Sequence, residues 1–260
     1  MEEPNKRALT DKPDKEETTH KAIKELEKRL VKRFNKAIHD YCLLKDGDKV
    51  LIALSGGKDS LFLLEMLARR SKIFSPRFSA EAVFVKMDNI NYESDCTYLQ
   101  QFSHQHGIPL HILETGFEPS ADKRKTPCFL CSWYRRKAIF KLAQELGCNK
   151  IALGHHNDDI IHTAIMNLMY HGVLSSMPPI LTFDKMPLAI IRPLCLIHEQ
   201  DIVTYAQYAQ YLKQIKLCPY EHISKRQTAA NVLKVMEREN PEVRYNIWHA
   251  LQHSSPSTKE

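Results

Sequence analysis

Val50-Leu51-Ile52-Ala53-Leu54 runs straight into Ser55-Gly56-Gly57-Lys58-Asp59-Ser60, an order of residue types suited to holding phosphate. Paired glycines let the backbone come close to oxygen atoms. A helix starting at that point offers unsatisfied amides and the positive end of its dipole to an anion. Neither common nucleotide fingerprint is met: the Walker pattern needs Gly at Ile52 and Ser or Thr at Asp59, and the dinucleotide pattern needs three spaced glycines. The plainer alternative is a glycine turn before a helix capped by Asp59 or Ser60.

A second group is Pro127-Cys128-Phe129-Leu130-Cys131, followed by Ser132-Trp133-Tyr134-Arg135-Arg136-Lys137. Two thiols stand at chelate spacing just ahead of a basic helix, and nearby cations and a helix start both favour the metal-binding thiolate. The same spacing serves a redox pair or half of a zinc site. No second CxxC exists, and Cys218 is the only cysteine in the C-terminal quarter, so a site of three thiolates is the economical arrangement. Cys42, Cys96, Cys148 and Cys195 read as core or helix cysteines.

The third group, Gly154-His155-His156-Asn157-Asp158-Asp159, again follows a strand and opens a helix. Its carboxylates suit caps and dipole partners. Beside a polyphosphate loop, Asp59 with Asp158 or Asp159 could also hold Mg²⁺, a hard ion that prefers oxygen ligands. His155 and His156 suit either packing or nucleotide contact.

The elements around these groups alternate. Strands are expected over Lys49-Leu54, Ala80-Val85, Leu110-Leu113, Lys150-Leu153 and Leu188-Pro193. Helices are expected over Lys58-Arg70, Asp95-His106, Ser132-Leu146, Asp158-Tyr170, His198-Leu212 and Thr228-Glu239. Strands joined by helices imply crossovers, hence a doubly wound parallel sheet of the α/β class covered on both faces. Ahead of it, Ile23, Leu26, Leu30, Phe34, Ile38 and Tyr41 line one face of an amphipathic helix. That apolar face suits a homodimer contact, and the lysines and arginines around it, like Arg135-Arg136-Lys137 and Lys225-Arg226, suit either solvent or nucleic-acid phosphate. The division expected is a mobile polar arm over 1–19, an N-terminal helical region over 20–48, the α/β domain with its helical C-terminal region over 49–252, and a tail over 253–260.

The chain has 260 residues, 43% hydrophobic and 26% charged, enough for one large core and unlike a disordered chain. No apolar run approaches the roughly 20 residues needed to cross a bilayer, and the N-terminus lacks the features of a secretory signal. A cytoplasmic protein without a membrane contact is expected. Seven cysteines, an odd number, favour metal or redox chemistry over disulfides in that compartment. A net charge of +6 is compatible with a polyanionic partner.

Ser-Gly-Gly-Lys-Asp-Ser resembles the pyrophosphatase loop of the PP-loop ATP pyrophosphatases, which cleave ATP between the α and β phosphates to adenylate a carbonyl oxygen. That implies an adenine nucleotide alpha hydrolase-like fold. Together with Cys-Phe-Leu-Cys and its two following arginines, Gly-His-His-Asn-Asp-Asp, Met177-Pro178-Pro179, Ile191-Arg192-Pro193-Leu194 and the late cysteine, it is similar to the tRNA 2-thiocytidine synthetase (TtcA) family over about Phe34 to Gln252.

The resemblance implies a [4Fe-4S] cluster on Cys128, Cys131 and Cys218, the last followed by Arg226-Gln227. It implies that Ser55, Gly56, Gly57, Lys58, Asp59, Ser60, Gly154, His155 and Asp158 bind ATP, with Mg²⁺ on Asp59 and Asp159. Asp59, Asp158, Arg135 and Arg136 are the expected catalytic groups. The implied reaction adenylates the C2 oxygen of an anticodon-loop cytidine at position 32 of tRNA and replaces it with sulfur drawn from a donor such as a cysteine desulfurase. One departure is visible: Ile215 stands where the family usually has a further cysteine, which argues against a fourth protein ligand.

The alternatives are a tRNA uridine thiolase, which usually carries extra zinc-binding pairs absent here, a lysidine-forming ligase, which needs no cysteines, and a non-catalytic RNA- or nucleotide-binding module.

Overall fold

The computed structural model describes residues 15–88, 91–92, 96–117, 126–212, 215–217 and 225–253. In chain order the elements are α1 (Lys15–Asp40), β1 (Asp48–Leu54), α2 (Lys58–Ser71), β2 (Phe78–Met87), β3 (Asn91–Tyr92), α3 (Thr97–Gln105), β4 (Leu110–Thr115) and α4 (Pro127–Glu145). They continue with β5 (Lys150–Ala152), α5 (Asn157–His171), β6 (Ile180–Phe183), β7 (Met186–Ile191), α6 (Glu199–Tyr208), β8 (Lys216–Leu217), α7 (Lys225–Glu239) and α8 (Val243–His253).

Six strands form the main sheet in the order β4-β2-β1-β5-β7-β6. Pairing is parallel from β4 across to β7, as the helix-linked strands require. The exception is β6, which turns back antiparallel on β7. It lies beyond the expected strands, because a hairpin partner at a sheet edge needs only a short, half-covered segment. The chain leaves β1 towards β2 and β4, then returns by α4 to β5 on the other side of β1. The order therefore reverses between β1 and β5, which opens a crevice at their carboxyl ends.

Alternation along the strands builds two layers of core. Val50, Ile52 and Leu54 of β1 pack on one side with α1, α2, α3 and α6, while Leu51 joins Val83, Val85, Ile151 and Ile190 beneath α4 on the other. Side chains of successive strand residues point to opposite faces, so an unbroken apolar strand buried on both sides is what this sandwich needs. A third cluster joins α5 to α7 and α8 through Ile161, Ile165, Ala229, Leu233 and Val243. The last helix, α8, lies outside the elements expected from periodicity.

The apolar stripe of α1 is spent inside the chain. Leu26, Leu30, Phe34, Ala37 and Ile38 are buried in the first core layer, and Arg29 and Arg33 reach Asp201 of α6 at 2.8 and 3.2 Å. The face expected to carry a homodimer is already covered. The helix also begins at Lys15, taking in residues assigned above to the polar arm. Among the described residues, no helix is long and apolar enough to cross a membrane.

Candidate active site

At the end of β1 the chain bends through Gly56, whose φ of +77° is a conformation that a residue with a Cβ adopts at a cost. The turn is braced internally. The Ser55 backbone N–H donates to the Ser60 hydroxyl oxygen at 3.0 Å, and the Ser60 hydroxyl donates to the Gly57 carbonyl at 2.9 Å. Gly57 caps α2 without a side-chain hydrogen bond, so the helix start faces the crevice as an anion site. From β5, Gly154 packs directly on this first turn: a Cβ there would lie 3.2 Å from the Asp59 carbonyl carbon and oxygen and from the Ser60 nitrogen.

The helix start after β5 is organised by His156. Its ring accepts from the Asp159 N–H at 3.4 Å, and Asp159 in return accepts from the His156 N–H at 3.1 Å, a reciprocal cap. The buried imidazole also bridges two carboxylates, with Nε2 at 3.8 Å from Asp59 and 3.5 Å from Asp159. Burial raises the Asp59 carboxyl above its ordinary value despite His156 and Lys58 nearby. Its Oδ1 is fully buried with no hydrogen-bond partner.

The adjacent carboxylates part company. Asp159 lines the crevice and meets Arg226 of α7 at 3.3 Å. Asp158 is turned into the scaffold, where it accepts from the Glu199 N–H at 2.7 Å and from Arg244 of α8 at 2.6 Å. Burial alone would raise its carboxyl; the Glu199 amide and Arg244 outweigh this and hold it below the usual range. Asp158 thus ties α5 to α6 and α8. Lys58 likewise is held rather than loose, 2.9 Å from Glu199 and 3.1 Å from Asp59.

The thiols stand within a helix rather than ahead of one. Thr126 caps α4, accepting from the Phe129 N–H at 3.3 Å, and Pro127 occupies the first turn, where its missing N–H and fixed φ are no handicap. This moves the helix start from the expected Ser132 to Pro127. Cys128 and Cys131 thereby fall one turn apart on the same face, both lining the crevice with Arg135 and Arg136 behind them. Arg135 buries its Nε without a partner. Two thiolates at a helix start beside arginines are a donor set suited to a metal cluster. The expected third ligand, Cys218, lies outside the described residues, and among those described no three Cys, His, Asp or Glu side chains converge as a complete metal cage.

All three groups open into one crevice of about 550 Å³. The loop contributes Ser55, Asp59 and Ser60, the β5 end contributes Gly154, His155 and Asp159, and α4 contributes the cysteines and arginines. Two buried polar atoms in its wall, on Asp59 and Arg135, lack hydrogen-bond partners; such atoms suit a ligand, because an unsatisfied buried polar group costs free energy.

Arg192 escaped the sequence analysis as a site residue. Buried at the end of β7, it donates from Nε to His155 Nδ1 at 3.4 Å and from Nη1 to the Pro178 carbonyl at 2.5 Å. Because a guanidinium only donates, His155 must keep Nδ1 unprotonated and carry its proton on Nε2. Burial, with Arg192 and Arg226 adding to it, pushes His155 down to about 4, so the ring is neutral near pH 7. An arginine closing a buried apolar strand, Leu188 to Ile191, was the available signal. Glu199 and Arg244 gave none, since their partners come from distant segments.

A parallel α/β sheet with this loop at its topological switch point defines the PP-loop class, and the PP-loop domain model matches residues 25–213. The chain is 38% identical over 251 residues to a tRNA-cytidine(32) 2-sulfurtransferase of Bordetella petrii, covering 94% of this chain and 76% of that one. It is 37% identical over 237 residues to the protein of the same name from Legionella pneumophila, covering 89% and 83%. This chain belongs to the PP-loop family and, within it, to the tRNA-cytidine(32) 2-sulfurtransferases. The U34-tRNA thiolase NcsA from Methanococcus maripaludis, solved with its [4Fe-4S] cluster, shares the fold, with a TM-score of 0.73 at 24% identity over 89% of this chain and 79% of that one.

Proposed function

We propose that this chain thiolates cytidine 32 of tRNA, using ATP to activate the C2 oxygen and replacing that oxygen with sulfur. The observation that carries the reading is the opening of the Ser55–Ser60 loop, the Cys128–Cys131 pair and the His155–Asp159 segment into one crevice. Adenylation and sulfur transfer need both reactants held together, and a shared cleft supplies that proximity.

In this reading the backbone from Ser55 to Ser60 holds the leaving pyrophosphate, and Gly154 allows the nucleotide to lie against the loop. Asp59 and Asp159 would hold the Mg²⁺ that accompanies the polyphosphate; the orphaned Oδ1 of Asp59 and the oxygen-rich pair suit that ion. Lys58 fixes the Asp59 carboxylate. Arg135 and Arg136 offset charge gathering on the α-phosphate as the C2 oxygen attacks phosphorus and pyrophosphate departs. His155 presents a neutral Nε2–H donor to the cleft. Asp158 acts at one remove, anchoring the helix that carries Asp159. Cys128, Cys131 and Cys218 would hold a [4Fe-4S] cluster, which would supply the sulfur-transfer chemistry at C2. The sulfur would come from a donor such as a cysteine desulfurase, in the cytoplasm, and a homodimer would use a surface other than the apolar face of α1.

Anaerobically reconstituted protein, incubated with ATP, Mg²⁺, a sulfide source and unmodified tRNA, should form 2-thiocytidine together with equal amounts of AMP and pyrophosphate. Nucleoside mass spectrometry reads the product. Appearance of 2-thiouridine, or AMP formation that ignores tRNA, overturns the reading. Iron and acid-labile sulfide should be lost in Cys128→Ala, Cys131→Ala and Cys218→Ala; tight zinc in place of iron would point to a structural metal.

A further inference from the structure

The face of α4 beside the cysteines is not used by the reaction above, yet it is unusual for a helix packed on a sheet. Phe129 and Trp133, one turn apart, are 49% and 44% exposed, although large aromatic residues at that spacing ordinarily mark a buried stripe. The Trp133 indole is braced from one side by Tyr134, edge-on with ring centroids 4.9 Å apart. Lys137, one turn further, sets its Nζ 5.3 Å from the indole centroid. Ser132, Arg135 and Arg136 line the crevice, and the exposed indole lies on the adjoining flank of the same helix, next round from Arg136.

Charge selects the partner. From Pro127 to Lys137 the helix carries Arg135, Arg136 and Lys137 with no Asp or Glu, a cationic stretch suited to a polyanion, whereas Lys141 beyond it pairs with Glu145 at 3.6 Å. Exposed rings among cations fit unpaired nucleotides, whose bases offer π-faces and whose phosphates need neutralising; a paired duplex hides those faces. An apolar protein surface would match the rings and leave the cations unanswered.

We propose that Trp133 is a stacking platform for an unpaired nucleotide of the RNA loop that delivers its neighbour into the crevice, with Lys137 binding an adjacent phosphate. The proposal rests on the tRNA reading above and adds where the loop outside the reacting base is held.

The test measures binding of the unmodified anticodon stem-loop RNA at several salt concentrations. Fluorescence of Trp133, in a Trp248→Phe background that leaves it the sole tryptophan, should be quenched by the stem-loop and not by a fully paired duplex. Trp133→Ala should weaken binding by about 5- to 150-fold, the range that one aromatic–base stack is worth, with an unchanged salt slope. Trp133→Phe should recover most of the loss. Lys137→Gln should weaken binding and reduce the salt slope by about one phosphate contact. Wild-type affinity in Trp133→Ala, or a loss accompanied by a changed slope, overturns the platform and leaves the tRNA reading standing. Failure of the wild type to bind any tRNA overturns both.

Discussion

Helix α2 carries two carboxylates, half-buried Asp59 in its first turn and buried Glu65 in its middle, and the fold treats them in opposite ways. Glu65 is fully answered: Tyr205 donates to it at 2.6 Å, Tyr211 donates to its other oxygen, and Arg69 lies 2.6 Å away and reaches on to Glu27. The burden falls on the partners, since burial and the carboxylate raise both tyrosines well above their ordinary range. Asp59 keeps one buried oxygen without a hydrogen-bond partner, the His156 ring nitrogen lying 3.8 Å from it. The difference separates structure from function along a single helix. A carboxylate inside a packed interface is stabilising only with its hydrogen bonds complete, whereas one kept incomplete at a crevice is ready for a ligand, at some cost in stability.

The sharpest way to break this comparison is to remove each carboxylate in turn. Glu65→Ala should destabilise the fold by about 2–5 kcal/mol, because the Tyr205 and Tyr211 hydroxyls lose their acceptor and Arg69 keeps only Glu27 as its anion; denaturant unfolding checks this. Asp59→Asn should change stability by less than about 1 kcal/mol while tRNA-dependent pyrophosphate release falls by at least about 100-fold. Equal stability losses at the two positions would erase the distinction.

A pH titration extends it to the histidines. His155 is held down to about 4, and His162 and His198 are also lowered by burial. The unfolded chain takes up these protons near pH 6.5 and the folded chain does not, so stability is full above that pH and falls as pH drops towards 4. His155 alone accounts for up to about 3 kcal/mol, and His155→Gln should flatten that part of the curve. Asp59, raised by burial, acts in the opposite sense at the acid end.

Gly154→Ala places a methyl group against the backbone of Asp59 and Ser60. A cost of about 1–3 kcal/mol is expected from overpacking, with ATP affinity reduced because the displaced backbone is the phosphate loop itself; isothermal titration reads the second effect. The smallest change in stability belongs to Cys128→Ser. This exposed residue should alter unfolding of the metal-free protein by no more than about 0.5 kcal/mol, while iron binding is lost.

Much of this arrangement was legible in the chain because its signals are local. A buried strand, two glycines and a polar helix start lie within eleven consecutive residues, and the same logic recurs at Gly154-His155. Elements built from longer-range pairing were not legible. The edge strand β6 depends on β7 for its hydrogen bonds, and α8 depends on α5 for a surface to pack against. Helix α4 starts ahead of the expected Ser132, because Thr126 and Pro127 together cap and begin it.

Residue types within a few positions of one another determined the phosphate loop, the thiol pair and the parallel sheet, since turn chemistry and hydrophobic period act over a turn or a strand. Only the tertiary structure decided that Asp159 faces the crevice while Asp158 anchors α6 and α8, that Arg192 sets the tautomer of His155, and that Glu65 is satisfied where Asp59 is not. Those outcomes depend on which distant donors arrive beside each group, and proximity in space is created by the crossovers of the sheet.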